Sequence, residues 1–334
     1  MKLNLLITSD LHLSDRARDR YRFGLFKWLV KKQRKYNVDA TFILGDVTDR
    51  KDNHSAALVN EIIDNLILLK PPVYILKGNH DFIDPDTPYF RFLSRLDGIK
   101  FISEPTLLPD WGWGAAMIPH QPDQASFDQA CRIIPPKCTL ICLHQALDGA
   151  LAETGTRLTG LQTSHISVLQ GARLVAAGDV HRPQACAGAL YVGAPYHVRF
   201  GDDFEPRVIL YNGQVNDLHY PAPRKRILRI RGTHLGVPLE ANSGDHVRIT
   251  VEINREEVTQ WAAIKAEIIA ACKAQNLELF GITLEISKAS GEDIKNNIKT
   301  YHEFIGPEQV FKAFCQHENT PGPMRAAGAE ILKA

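Results

Sequence analysis

The sequence has almost no net charge, so its overall electrostatics do not indicate a partner. Lysine and arginine total 39 against 38 aspartate and glutamate, which gives a formal net charge of +1 over 334 residues. A strongly basic chain would favour nucleic acid or an anionic surface. Any phosphate-binding surface on this chain must therefore be local.

Long apolar runs and paired cysteines are also missing. No stretch approaches the roughly 18 apolar residues of a membrane span. The start, 1–7, has one lysine and a short apolar run that soon reaches Asp10, a pattern more typical of a β-strand than of a signal peptide. Six cysteines lie scattered without CxxC spacing. We expect a cytoplasmic protein with reduced cysteines and no membrane association.

Short apolar runs alternate with helical patterns from Met1 to about Tyr220. Near-continuous apolar runs are typical of strands that are buried on both faces of a sheet. The pattern predicts main strands at 3–8, 40–44, 72–77, 138–143 and 173–177, and helices at 20–36 and 54–69. Shorter strands are predicted near 99–103, 112–118, 189–193, 206–211 and 215–220, with antiparallel pairing indicated at turns such as Asn212-Gly213.

These elements predict an α/β fold: a two-sheet β-sandwich flanked by helices, followed by a smaller α+β domain. The basic run 224–231 after Pro221 and Pro223 is interpreted as a boundary or linker. A strand–helix–strand pattern follows at 246–253, 257–275 and 278–287, and two short helices are predicted at 307–316 and 324–333. The predicted domains are 1–222, 223–290 and 291–334.

Five of the apolar runs end in side chains that bind cations. The five turns are Ser9-Asp10-Leu11-His12, Gly45-Asp46, Gly78-Asn79-His80-Asp81, Leu143-His144 and Gly178-Asp179-Val180-His181. Active sites of α/β sheets form at the carboxyl ends of strands, so we expect these turns to converge. One such turn alone is more typical of helix capping or of a polar turn. Five such turns in one chain favour a functional site.

The donor types indicate the chemistry. Carboxylate and amide oxygens suit Mg, Mn or Fe, and imidazoles add a preference for Mn, Fe or Zn. The absence of thiolates argues against a structural zinc. Two ions about 3.5–4 Å apart, bridged by one carboxylate, would clamp a phosphoryl group and activate a water. The sequence therefore predicts a phosphoester hydrolase with two divalent metal ions, Mn preferred and Mg, Fe or Zn as alternatives.

The order of these motifs resembles the calcineurin-like metallophosphoesterase superfamily. Within it, the stretches 143–145 (LHQ), 178–184 (GDVHRPQ) and 191–203 (YVGAPYHVRFGDD) are similar to SbcD-type DNA-repair nucleases, which act with SMC-like ATPases. The likeness covers about 1–220 well and the rest loosely. It implies a metallophosphoesterase-like αββα fold, with a capping domain at 246–287 and an ATPase-docking segment at the end.

The resemblance also implies roles for the motif residues. One metal would be held by Asp10, His12, Asp46 and His181, and the other by Asp46, Asn79, His144 and Asp179. Asp46 would then bridge the two ions. His80 would be a catalytic imidazole that is not a ligand, and it would stabilise the phosphoryl oxygens or protonate the leaving group. Asp81 would either orient His80 or only stabilise its turn.

Two positions depart from the family pattern. Asp179 replaces the first histidine of the usual Gly-His-x-His motif, which makes the centre harder and less electrophilic. Asp179 would still bind metal, weaken the second site, or mark altered activity. Asp49 stands where the nuclease branch often has a histidine, and general phosphoesterases often have aspartate there.

Three further residues are predicted to bind substrate: Arg182, Tyr196 and Arg199. Tyr196 and Arg199 lie in the loop after Gly193-Ala194-Pro195, where phosphate contact and a structural turn are both open interpretations. Arg182 adjoins the predicted ligand His181 and suits a phosphate.

The leading functional hypothesis is a DNA exonuclease or endonuclease acting in repair or recombination with an SMC-like ABC ATPase, with a homodimer also possible. One alternative is a phosphodiesterase or phosphatase acting on small molecules or proteins. Another is a scaffold subunit whose catalysis has been weakened by Asp179.

Overall fold

The computed structural model describes residues 3–108, 114–136, 138–166, 169, 171–232 and 238–287. The predicted helices at 307–316 and 324–333 lie outside these residues. Among the described residues, no helix combines the length and the apolar character needed to cross a membrane.

Two six-stranded mixed sheets form the body of the chain. The strands of the first are β1 (Leu5–Thr8), β2 (Ala40–Ile43), β3 (Val73–Leu76), β4 (Ile99–Ile102), β11 (Val208–Tyr211) and β12 (Val215–Leu218). Their spatial order is β12-β11-β1-β2-β3-β4. Strands β1 to β4 are parallel, while β11 and β12 form an antiparallel pair at one edge, as the Asn212-Gly213 turn predicts.

The second sheet also has six strands, but its antiparallel strands lie at both edges. Its strands are β5 (Thr106–Leu108), β6 (Ala115–Ile118), β7 (Leu140–His144), β8 (Leu174–Gly178), β9 (Gln184–Cys186) and β10 (Ala189–Tyr191). Their order is β5-β6-β7-β8-β10-β9, with β6, β7, β8 and β10 parallel and the two edge strands antiparallel. Sequence interpretation missed β5 and β9, which are only three residues long.

Alternate side chains of both sheets are buried in different cores, because neighbouring residues of a strand point to opposite faces. Leu5, Phe42 and Leu76 of the first sheet share one core with Met117 and Cys142 of the second. The other face of the first sheet packs with residues of α1 (Gly24–Lys35) and α2 (Ala56–Leu66). The other face of the second sheet packs with α3 (Gln124–Cys131). The predicted sandwich flanked by helices is confirmed.

The helix ends follow local rules. Ser55 precedes α2, and its hydroxyl accepts a hydrogen bond from the backbone N–H of Leu58 at 3.2 Å, a typical N-cap. The predicted helix 20–36 is divided: Ala17–Phe23 forms a 3₁₀ helix and α1 begins at Gly24. Sequence interpretation missed α3, a short helix capped by Asp123.

The C-terminal part contains a three-stranded sheet of β13 (Lys225–Arg231), β14 (His246–Ile253) and β15 (Glu278–Ile286), in that order. A 3₁₀ helix (Arg255–Gln260) and α4 (Trp261–Ala274) connect β14 to β15. The interpretation of 224–231 as a linker is wrong, since this basic run forms β13. Its alternating exposure is that of a strand with one face toward solvent.

The chain separates into two compact units. The larger contains residues up to Leu228 together with Leu239–Arg248 and Ala271–Gly281. The described part of the smaller comprises 229–232, 238, 249–270 and 282–287. The predicted domain limits at 222 and 290 stay a prediction.

Candidate metal centre

The five predicted turns meet at the carboxyl ends of parallel strands. Three follow β1, β2 and β3 of the first sheet, and two follow β7 and β8 of the second. The first two turns are hydrogen-bonded to each other: the N–H of Asp10 donates to Gly45 O at 3.2 Å, and the N–H of His12 donates to Asp46 O at 2.9 Å. The fold thus gathers side chains that are up to 171 residues apart in sequence, from Asp10 to His181.

Four of the gathered residues have a left-handed backbone. The φ angles are 54° for Asp10, 41° for His12, 52° for Asp46 and 85° for Asp179. Residues with a Cβ rarely adopt this region, and each such residue costs about 1–3 kcal/mol unless its surroundings hold it there. Conformational strain concentrated at polar residues is typical of functional sites.

Two glycines let the turns approach one another closely. A Cβ on Gly78 would lie 2.2 Å from Asp46 Oδ1, and a Cβ on Gly178 would lie 2.2 Å from Ser9 Oγ. No real Cβ atom tolerates such contacts, so side chains at these positions would push the turns apart.

The first donor group consists of Asp10, His12 and His181, with ligand atoms within 4.8 Å of one another. The Nε2 atoms of His12 and His181 are 2.9 Å apart. Burial raises the pKa of Asp10 to about 8 and lowers the pKa of both histidines. Asp10 Oδ2 is buried, and it has no hydrogen-bond partner among the described residues.

The second donor group lies around His144 Nε2. This atom is 3.4 Å from Asp46 Oδ1, 3.4 Å from Asn79 Oδ1 and 3.7 Å from Asp179 Oδ1. Asp46 also belongs to the first group, since its Oδ2 lies 3.6 Å from His12 Nε2. The two carboxylate oxygens of Asp46 therefore face different donor groups, which is the arrangement a bridging ligand requires.

These donors fit divalent metal ions. Burial and the neighbouring carboxylates Asp81 and Asp179 raise the pKa of Asp46 well above its usual value, so the buried acids lack a compensating charge. Carboxylate, amide and imidazole donors suit Mn, Mg, Fe or Zn. Bound there, two such ions would supply positive charge that polarises a phosphoryl group and lowers the pKa of water.

A backbone carbonyl and two carboxylates lie next to the Nδ1 atoms of the three histidine rings. His144 Nδ1 lies 2.6 Å from Leu44 O, so its N–H donates there and leaves Nε2 toward the acids. Glu153 Oε1 lies 3.0 Å from His181 Nδ1, and Asp49 Oδ1 lies 3.9 Å from His12 Nδ1. Sequence interpretation missed the roles of Leu44 and Glu153, since neither follows a strand end with a metal-binding motif.

Arg22 is a further group that the sequence did not indicate. Its side chain is 1% exposed, and its guanidinium donates to His12 O and, at 3.2 Å, to Val198 O. Asp19 Oδ1 balances the charge at 3.1 Å. Arg22 therefore holds the strained turn that carries His12.

His80 lies beside both donor groups. Its backbone N–H donates to Asp46 Oδ1 at 2.9 Å, and its ring Nδ1 lies 3.0 Å from Asp49 O. Asp81 does not orient it. The Asp81 carboxylate is buried and accepts hydrogen bonds from the N–H groups of Gly78, Asp46 and Val47 at 2.8–3.0 Å. Of the two interpretations of Asp81, the structure supports stabilisation of the turn.

The three predicted substrate contacts differ in their surroundings. Tyr196 is fully buried, and its hydroxyl donates to Leu11 O, which favours the structural interpretation of this loop over contact with substrate. Arg199 is exposed, and its backbone N–H donates to Asp202 at 2.9 Å. Arg182 is half-buried, and its Nη1 lies 3.5 Å from Glu153 O. Arg182 and Arg199 stay predictions.

Residues 3–146 match the family model of calcineurin-like phosphoesterases. This segment includes four of the five strand-end turns, so the predicted family resemblance is confirmed for it. The matched segment also carries Asp10, His12, Asp46, Asn79 and His144 of the two donor groups described above.

One curated relative is "Exonuclease subunit 1" of Enterobacteria phage T4, which is 21% identical over 217 residues. The alignment covers 61% of this chain and 63% of that protein, and so less than two thirds of its length. A crystal structure of a dimetal phosphatase from Danio rerio covers 65% of this chain and 98% of its own at 14% identity, with a TM-score of 0.39. A likeness this distant carries no argument about function.

Proposed function

We propose that the chain is a two-metal-dependent phosphodiesterase that hydrolyses DNA, as an exonuclease or endonuclease of the SbcD type. The observation that carries this proposal is the convergence of two donor groups on the shared carboxylate of Asp46. The similarity to a phage exonuclease subunit supports DNA as the substrate.

In this proposal each donor group holds one ion. Asp10, His12 and His181 with Asp46 hold the first, and the second is held by Asp46, Asn79, His144 and Asp179. We infer a preference for Mn, because the set mixes hard oxygen donors with imidazoles.

His80 is the proposed catalytic imidazole. The 3.0 Å contact of its Nδ1 with Asp49 O fixes the ring and leaves Nε2 for a phosphoryl oxygen or the leaving oxygen. The turn that positions His80 is held by Asp46 and Asp81, so a change at either acid would also displace the imidazole.

The proposal includes a partner. We infer an SMC-like ABC ATPase, because the phage relative is named as a subunit and the stretches 143–145, 178–184 and 191–203 resemble the SbcD type. Homodimer formation and action in DNA repair belong to the same proposal.

A phosphodiesterase or phosphatase for small molecules or proteins is the second candidate. Asp49 favours it, because general phosphoesterases often have aspartate at this position. A scaffold role with weakened catalysis is the third candidate. The 3.7 Å distance from Asp179 Oδ1 to His144 Nε2 argues against it, since it keeps a donor at the second group.

The decisive experiment measures Mn-dependent release of nucleotides from end-labelled duplex and single-stranded DNA, beside turnover of bis-p-nitrophenyl phosphate. We expect both activities, and we expect Asp10→Ala and His80→Ala to abolish DNA cleavage. Turnover of the small ester without DNA cleavage would favour the second candidate, and no activity at all would favour the third. An unchanged Asp10→Ala/His80→Ala double variant would refute the site assignment.

The partner is tested separately. We expect the chain to co-purify with a long coiled-coil ATPase encoded beside it, and ATP to change its DNA cleavage. Failure of both would remove the partner from the proposal without affecting the metal site.

A further inference from the structure

Two arginines and two phenylalanines form a compact cluster on the larger unit. The guanidinium carbon of Arg18 lies 4.4 Å from the ring centroid of Phe280, and that of Arg248 lies 4.4 Å from the ring centroid of Phe200. The two rings meet edge to face, with centroids 5.0 Å apart. We name these four residues the Arg–Phe cluster.

The guanidinium groups are the accessible part of this cluster. The Arg18 side chain is 52% exposed and Arg248 is exposed, whereas both phenylalanines are half-buried. His246 stacks on Phe280 with centroids 4.9 Å apart and an interplanar angle of 29°. The rings are therefore held by their neighbours and in turn support the two guanidinium groups at the surface.

The cluster carries an excess of positive charge. Arg199 precedes Phe200 and is exposed, and the carboxylate in contact with the cluster is Glu278, whose Oε1 lies 3.5 Å from Arg18 Nε. Three arginines (Arg18, Arg199 and Arg248) thus lie in or next to the cluster. Exposed guanidinium groups attract phosphates by charge and by planar hydrogen bonding.

Exposed cationic residues connect the cluster with the metal centre. Arg199 is exposed and follows Val198, whose carbonyl accepts from the Arg22 guanidinium that also donates to His12 O. Arg16, two residues before Arg18, pairs through Nη1 with Asp49 Oδ2 at 3.1 Å. Asp49 in turn lies beside His12. A phosphate chain bound at the metal centre would therefore pass cationic side chains on the way to the cluster.

We propose that the Arg–Phe cluster binds the unpaired bases of a nucleic-acid strand whose backbone reaches the metal centre. Bases stack on guanidinium planes as well as on aromatic rings, and arginine adds attraction for the phosphates. The inference rests on the proposed function, because it takes a DNA strand as the substrate. It adds that the enzyme contacts bases and so prefers unpaired to paired strands.

The test measures binding of a fluorescein-labelled oligothymidylate to the full chain by fluorescence anisotropy, with EDTA present to prevent cleavage. An oligonucleotide of equal length with abasic sites has the same phosphates but no bases. We expect Arg18→Lys/Arg248→Lys to weaken oligothymidylate binding at least about fivefold, because lysine keeps the charge and loses the plane. Binding of the abasic strand should change by less than about twofold, because lysine keeps the positive charge that attracts the phosphates.

A second variant, Phe200→Leu/Phe280→Leu, removes the rings that support the guanidinium groups and should weaken the same interaction. Tyr36→Leu is the matched control. Lys35 Nζ lies 5.1 Å from the Tyr36 ring, and Tyr36 O accepts from Asn4 Nδ2, which places this cation–ring pair at the opposite end of β1. We expect the control to bind both strands like the unaltered protein.

Each outcome of the binding experiment either supports or overturns the inference. Equal weakening for both strands would show a contact with phosphate alone, and unchanged binding would show that the cluster only packs; either overturns the inference. So would an unaltered protein that binds neither strand. Base-dependent binding without any DNA cleavage would refute the proposed function and leave this inference standing. DNA cleavage together with equal affinity for the two strands would support the proposed function and refute this inference.

Discussion

Asp179 is the residue at which this chain departs from the usual ligand pattern. Its Oδ1 lies 3.7 Å from His144 Nε2, and its backbone N–H donates to Asp10 Oδ1 at 3.2 Å. A carboxylate therefore occupies the position beside the second donor group where an imidazole is usual. It adds negative charge and lowers the electrophilicity of bound metal.

We expect Asp179→Ala to raise the Mn concentration needed for half-maximal activity by about tenfold or more, because one donor to the second ion is lost. Asp179→His should retain activity and shift the metal preference away from Mg. The measurement is turnover of bis-p-nitrophenyl phosphate during titration with Mn and Mg. A metal titration of Asp179→Ala that superimposes on that of the unaltered chain would remove Asp179 from the ligand set.

Glu153 gives a second prediction at the residue scale. Its carboxylate lies 3.0 Å from His181 Nδ1, close enough to polarise the ring and make Nε2 a better metal donor. We expect Glu153→Gln to lower metal affinity about 10–100-fold. Isothermal titration of the metal-free chain with Mn measures this.

Asp128→Asn is the control for that prediction. Asp128 Oδ1 lies 2.9 Å from His165 Nε2 at the surface, so the same kind of pair is removed outside the donor groups. Both variants lowering the affinity equally would contradict a specific role for Glu153.

The strand-to-turn junction is the element that builds the site. Each main strand is short and buried on both faces, and the next residues turn sharply to present a donor. Gly78 shows how tight the junction after β3 is, since a Cβ there would meet Asp46 Oδ1 at 2.2 Å and Asp46 N at 2.4 Å.

We expect Gly78→Ala to destabilise the fold by about 1–3 kcal/mol, as overpacking of a rigid site does, and to reduce turnover strongly. Gly171→Ala is the control, because its Cβ would meet only Pro136 O at 3.8 Å. Denaturant unfolding and ester turnover measure the two effects. Equal unfolding midpoints for the two variants would show that the junction tolerates a side chain.

At the scale of elements, the sequence predicts what is periodic or apolar and misses what depends on distant partners. The main strands were predictable because both of their faces are buried. The sequence of β13 indicates a linker because its charges hide the strand alternation. Lys225 is buried there through an ion pair with Asp19 at 3.1 Å. The candidate donors follow strand ends, so the sequence alone predicts that they lie close together. Arg22 and Glu153 could not be predicted, since only the tertiary fold brings them to His12 and His181.

In the whole molecule, the buried acids oppose folding when no metal is bound. Asp10 has a folded-state pKa of about 8 against an ordinary value of 3.8, so the folded chain holds a proton that the unfolded chain has lost. Stability from this group is complete below the unfolded pKa and is lost as the pH rises through 8. Histidines with lowered pKa values oppose this trend near pH 6.5, because there each is still half protonated in the unfolded chain and neutral in the folded one, which is worth about 0.4 kcal/mol per histidine.

We therefore expect the metal-free protein to lose about 1.5 kcal/mol of stability between pH 6.5 and 8 through Asp10 alone. Saturating Mn favours the ionised carboxylates and should remove most of this dependence. Thermal unfolding in EDTA and in Mn at several pH values measures both effects. Asp10→Asn isolates the effect of Asp10, because the histidines contribute equally to both proteins; the same pH dependence of melting in the two metal-free proteins would contradict the raised pKa of Asp10.

The donor turns come from both sheets, three from one and two from the other. The last of them, with Asp179 and His181, is synthesised after more than half of the chain. No partial chain ending before this turn holds a complete donor set, so the emerging protein cannot capture both ions early. Once captured, the ions would join the two halves of the sandwich at one edge. Metal retention would then report whether both sheets are intact, and stripping the metal would allow them to loosen independently.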